Sequence, residues 1–152
     1  MPEVRAERTG WRDEGLSQEH RKWGFDCPAV DIDFLMLEYD TGRASALVEY
    51  KNEHAKIQYP SHPSYQAIID LGNRAGIPVF ACRYTDDYSH YRAVPLNDKA
   101  RKFISVPTVL NKSEWVKLLY RIRGREVGDD FLRSIDSKNS KVKNLDIEFI
   151  NL

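Results

Sequence analysis

Two runs constrain this chain more than anything else in it: Asp31 to Tyr39 (DIDFLMLEY) and Ala44 to Lys51 (ASALVEYK), separated by Asp40-Thr41-Gly42. Both are rich in large apolar side chains. The glycine in third place of the break suits a type I turn followed by a left-handed residue. The pair is expected to be a β-hairpin, covered on both sides because its middle is apolar on both faces. With Tyr39 facing Arg43, paired residue numbers sum to 82, so Leu35 faces Leu47, Asp33 faces Glu49 and Asp31 faces Lys51. Alternation puts all of these on one face, with opposed β-carbons roughly 4.5–5.5 Å apart. The sequence thus sets two carboxylates side by side.

The flanking segments supply the rest of a domain. Ser17 caps a short predicted helix, Gln18 to Trp23, ended by Gly24. Ser64 to Ala75 (SYQAIIDLGNRA) reads as a helix with Tyr65, Ile68, Ile69 and Leu71 as its inward set, stopped by Gly76 and Pro78. Ile77 to Tyr84 (IPVFACRY) reads as a buried strand with Cys82 as a buried free thiol. His90 to Leu96 returns as another strand, whose Pro95 belongs at an edge or a strand end. Lys99 to Ile104 forms a short helix. Ser113 and Glu114 open an amphipathic helix through about Arg123, with Trp115, Leu118, Leu119 and Ile122 on one face. Residues 126–144 read as a polar loop, and Leu145 to Leu152 (LDIEFINL) alternates as a terminal strand. The order predicts an α/β (α+β) fold, a mixed central β-sheet flanked by helices. Its expected divisions are an N-terminal arm over 1–16, a core domain over 17–125 and a C-terminal extension over 126–152.

Composition narrows the function classes. A length of 152 residues fits one domain, and 41% hydrophobic residues support a core. No run approaches the roughly 18–20 apolar residues that span a membrane. Met1 to Gly15 lacks the apolar centre of a signal peptide. A cytoplasmic location without a membrane partner is expected. Cys27 and Cys82 form no C-x-x-C pair, and the histidines have no metal-ligand spacing, which argues against a zinc site. Residues 1–96 carry a net charge of −4 and residues 97–152 a net +4.

Opposed carboxylates repel, and a divalent cation removes the conflict. Magnesium takes hard oxygen ligands and few protein carboxylates, and manganese can substitute for it. Lys51 points to the same side as Glu49, where its ammonium can hold an attacking water or offset charge building on a phosphate. The plainer alternative is a solvated hairpin end with an Asp31–Lys51 ion pair. Lys117, Arg121, Arg123 and Arg125 either meet phosphates or form the polar end of a helix, where cations favour the C-terminus.

An Asp, a hairpin, then Glu-x-Lys closing the second strand resembles the PD-(D/E)XK nuclease superfamily. Asp33 matches its first acid, and Glu49 with Lys51 match the (D/E)-x-K pair over residues 17–96. The residue before Asp33 is Ile32 where the name of the motif has proline. The resemblance implies a restriction-endonuclease-like core and a magnesium-dependent nuclease acting on nucleic acid, DNA being favoured. It implies that the Tyr50 carbonyl joins Asp33 and Glu49 on the metal. It further implies that Glu19, on the preceding helix, assists catalysis and that Gln66 is accessory, with Asp31 a rival or accessory acid. So small a chain implies a homodimer or a larger DNA-processing partner. The alternative is the same fold as a catalytically silent module binding nucleic acid or protein.

Overall fold

The computed structural model describes residues 14–23, 30 and 32–136. The chain divides into two compact units, Met1–Asp31 and Ile32–Leu152. In the first, helix α1 spans Glu14–Lys22. It starts before Ser17, so Ser17 lies inside the helix instead of capping it. Asp31, Gly24, Cys27 and the predicted terminal strand at 145–152 lie outside the described residues.

The second unit is built on one five-stranded mixed sheet in the order β1-β2-β3-β4-β5. Its strands are β1 (Phe34–Glu38), β2 (Arg43–Asn52), β3 (Val79–Tyr84), β4 (His90–Pro95) and β5 (Thr108–Asn111). Helix α2 (Pro63–Ala75) carries the crossover that makes β2 and β3 parallel, while the other neighbours run antiparallel. The expected α+β architecture with a mixed sheet is therefore present. Pro95 ends β4, which lies inside the sheet between β3 and β5.

Each face of the sheet has its own cover. Tyr65 and Ile68 of α2 pack on Leu47, Val79 and Leu96, whereas Leu71, expected inward, lies on the exposed side of the helix. Helix α4 (Lys112–Ile122) sets Trp115 and Leu118 against Val48, Cys82 and Ala93 on the opposite face. Full burial of side chains such as Leu47, Val79 and Phe80 contributes roughly 1.5–3 kcal/mol each. Helix α2 can sit close to β3 because Gly72 has no side chain: a Cβ there would lie 2.1 Å from Cγ2 of Val79. The buried Asn97 locks the junction. Its Oδ1 accepts from the Val79 and Ala100 N–H groups at 3.1 and 3.0 Å, and its Nδ2 donates to the Ile77 carbonyl at 2.9 Å.

Several expectations need correction. The hairpin turn has four residues, not three, because Glu38 rather than Tyr39 faces Arg43. Ser45 is then an extra residue on β2, a bulge that shifts the register between Leu37 and Met36. Beyond it the pairs Met36–Ala46, Leu35–Leu47 and Phe34–Val48 follow the expected register. Strand β1 is a sheet edge with Phe34, Leu35 and Leu37 exposed, so the hairpin is not covered on both sides along β1. Helix α3 (Asp98–Arg101) is shorter than expected, and β5 was not foreseen. Asn111, two residues before the expected start at Ser113, caps α4 in a capping box with Glu114. Residues 129–136 form helix α5 where a loop was expected, held by the buried Leu132 and by Phe131 at 6.5 Å from the Tyr120 ring.

Candidate active site

The face under α2 is organised in rows across the strands. Leu47 and Val79 stand side by side beneath the helix. The next row outward is Glu49, Ala81 and Val94; the third is Lys51, Arg83 and Arg92. The chain thus passes from apolar to acidic to basic toward the carboxyl ends of the parallel pair β2 and β3, where open α/β sheets place their ligand crevices.

Asp33 immediately precedes β1, just beyond its first ladder pair Phe34–Val48, and its carboxylate lies beside that of Glu49. Its Oδ2 accepts the Tyr50 N–H at 3.2 Å. The two carboxyl groups are close enough to share a hydrogen bond, and the Glu49 pKa is raised above the usual carboxylate range, first by burial and then by the Asp33 charge. Lys51 opposes that shift, with Nζ 3.6 Å from Glu49 Oε1. The N–H groups of Leu47 and Glu53 donate to the β3 side, at Pro78 and Tyr84. Alternation therefore turns the Tyr50 N–H and carbonyl toward β1, past the last ladder pair. The Tyr50 side chain lies on the opposite face, where its hydroxyl accepts from Trp115 Nε1 at 3.0 Å.

Two converging carboxylates, one of them desolvated, beside a backbone carbonyl form a hard-oxygen donor set. It matches the requirements of magnesium, and a divalent cation would offset both the repulsion and the burial cost. Tyr65, read from the sequence only as core, is a neighbour of this site. Its hydroxyl pKa is raised by burial and by the charges of Glu49 and Asp33, with Arg83 acting oppositely.

Other predicted residues are distributed differently. Glu19 belongs to the first unit, where its carboxylate pairs with Lys22 at 2.8 Å. Gln66 donates from Nε2 to the Pro60 carbonyl at 2.7 Å, which ties the loop before α2 to the helix. Arg123 grips Glu38 through two bonds of 3.1 Å, and Arg125 bonds Glu38 and Asp40 at 2.9 and 3.1 Å. Arg121 donates to the Phe103 carbonyl at 2.7 Å. The Glu38–Arg43 pair lies roughly 26 Å along β2 from Lys51 at about 3.3 Å per residue, so Arg123 and Arg125 fasten the hairpin turn at the far end of the strand. Lys117 faces outward from α4 beside Leu118 and Arg121 in a separate surface cleft.

Glu53, His54 and Asp86 bring three ligand-type atoms within 4.8 Å of one another. Each is engaged internally: His54 Nε2 meets Asp86 Oδ2 at 2.8 Å, and Glu53 Oε1 accepts the Asp86 N–H at 2.8 Å. Among the described residues, no helix is long and apolar enough to cross a membrane. No protein-family model, curated protein or solved structure gives a significant match to the chain.

Proposed function

We propose that the second unit is a magnesium-dependent phosphodiesterase acting on nucleic acid, with DNA the favoured substrate. The observation that carries this reading is the convergence of Asp33 and Glu49 beside Lys51 at the open end of the sheet face. The order of the acid, the hairpin, Glu-x-Lys, a helix and a parallel strand is also what the resemblance to PD-(D/E)XK nucleases implies.

Asp33, Glu49 and the Tyr50 carbonyl would hold the magnesium ion. When bound, that ion supplies Lewis-acid polarisation of a phosphoryl oxygen and lowers the pKa of a bound water. Lys51, protonated and without a lone pair, is no ligand; its ammonium holds the attacking water or stabilises charge growing on the phosphate. The Tyr50 N–H fixes the Asp33 carboxylate and so sets the direction of its free oxygen. Tyr65, buried with Leu47 and Val79, belongs to the apolar cluster beneath α2 that adjoins the site.

Calorimetry with manganese, paired with nicking of plasmid DNA, tests the reading. The wild type is expected to bind the ion and nick DNA, and Asp33→Asn to lose both. A wild type that binds neither magnesium nor manganese would remove the metal from the proposal and leave a non-catalytic module.

A further inference from the structure

Beyond Lys51 the sheet face opens into a cavity of about 380 Å³. Its cationic lining is Lys51, Lys56, Arg83 and Arg92, and among the described residues no carboxylate lines it. Arg83 stands directly beside Lys51 on one strand and Arg92 on the other. Like charges so placed destabilise a sheet unless something answers them. Among the described residues, no acidic side chain pairs with Arg83 or Arg92. Arg83 is oriented by carbonyls, donating from Nη2 to Glu53 and Ala55 at 2.5 and 2.8 Å, which leaves its charge unneutralised. Its Nε is buried without a hydrogen-bond partner.

Apart from Gln58, the rest of the lining is mostly apolar or aromatic: Ala81, Val94 and Leu96 form the floor, and Ile57 and Tyr59 belong to the loop that Gln66 anchors. A cluster of cations beside an apolar floor in a space of this size fits a nucleotide, with the phosphate on the guanidiniums and the base against the floor. Arg83 and Arg92 stand one and two strand spacings from Lys51, roughly 5 and 10 Å. Lys51 lines the cavity and its Nζ lies 3.6 Å from Glu49 Oε1, so the cavity lies next to the acidic pair without including it.

We propose that this cavity binds a nucleotide phosphate monoester, Arg83 and Arg92 taking the phosphate and Lys56 closing over it from the loop. The ligand is either a free mononucleotide or the phosphorylated end of a strand. In the second case, which rests on the phosphodiesterase reading, the cavity places the first linkage of the strand next to Asp33 and Glu49. Binding itself needs no metal, so it is measured in EDTA and fails or succeeds independently of the nuclease reading.

The probes are deoxyadenosine 5′-monophosphate, deoxyadenosine, and a short DNA strand with and without a 5′-phosphate, titrated by calorimetry or fluorescence anisotropy. The mononucleotide is expected to bind and the nucleoside to bind at least tenfold more weakly. Arg92→Gln is expected to weaken the mononucleotide by about tenfold or more, as loss of a charge-assisted contact does. Lys56→Gln, on an exposed loop residue, provides a second variant should Arg92→Gln fold poorly, and is expected to weaken binding in the same direction. Lys99→Gln, an equal loss of charge elsewhere on the surface, is expected to leave it unchanged. Preference for the 5′-phosphorylated strand over the mononucleotide identifies a strand end as the ligand; the reverse identifies a free nucleotide. Equal binding of nucleotide and nucleoside, no binding by the wild type, or an equal effect of Lys99→Gln would overturn the proposal.

Discussion

Strand β2 has charged groups at both ends, and the two ends treat them in opposite ways. At the turn, acids and bases interleave: Glu38 and Asp40 receive Arg123 and Arg125. At the other end they are sorted, with Asp33 beside Glu49 and then Lys51, Arg83 and Arg92 in a row. Interleaved charges satisfy one another and fasten an element. Sorted charges answer one another only where the rows meet, at Lys51 and Glu49, and leave the rest in need of a visitor, a cation for the acids and an anion for the bases. The same contrast appears in two glutamates on neighbouring strands. Hydrogen bonding from Arg123 holds the Glu38 pKa below the usual range, whereas burial and Asp33 hold that of Glu49 above it.

The largest expected effect comes from breaking the acidic pair. Glu49→Gln is expected to abolish magnesium and manganese binding, and cleavage with it, while raising Tm in the absence of metal. Because the folded-state pKa of Glu49 is raised, its favourable contribution is complete below the usual glutamate range and is lost as pH rises through the raised value. The stabilisation by Glu49→Gln should therefore be greatest at neutral pH and vanish in acid. A lower Tm for the variant at neutral pH would make Glu49 a structural residue.

Lys51→Met separates the lysine from the metal. Cleavage is expected to fall on the order of 10²–10³-fold, as for loss of one electrostatic donor, with metal affinity largely retained. Near-normal cleavage would limit Lys51 to its ion pair with Glu49.

A smaller effect is expected at the turn, where Glu38→Gln should lower Tm by a few degrees, less so in high salt. Its sign with pH is opposite to that of Glu49. The contribution of Glu38 is present above the usual glutamate range and lost as pH falls through its lowered value. Thermal melts of both variants from pH 3 to 8 would reveal the two slopes, and parallel slopes would erase the contrast between the ends.

How legible was this from the sequence? The nearness of Asp33 to Glu49 was, yet through two departures that cancel: the turn is one residue longer than its Asp-Thr-Gly suggests, and the bulge at Ser45 restores the register as far as Phe34–Val48. Patterning gave the core correctly where each helix presents one apolar stripe, as with Trp115 and Leu118. It missed the basic row, because Arg83 and Arg92 meet Lys51 only through a parallel crossover and a further hairpin that no local spacing encodes. It offered Arg123 and Arg125 only phosphates or a helix end, since carboxylates 85 residues away are invisible to a local reading. Helix α5 escaped because a mostly polar segment hides its two anchors, Phe131 and the buried Leu132.

The bulge makes the hairpin a part that can be re-engineered from its tip. With Ser45 deleted, the residues beyond it each move back one place, and the shorter register of the turn then carries through to Asp33 and Glu49 without a break. The Ser45 hydroxyl is buried with no partner, so its removal forfeits no hydrogen bond. The deletion is expected to shift Tm least among these changes and to keep metal binding, whereas deleting Ala46 together with Ser45 would swing every side chain beyond it to the wrong face. Loops of other lengths can be grafted at Asp40-Thr41 on the same logic, since the strand has one residue in reserve to absorb the difference.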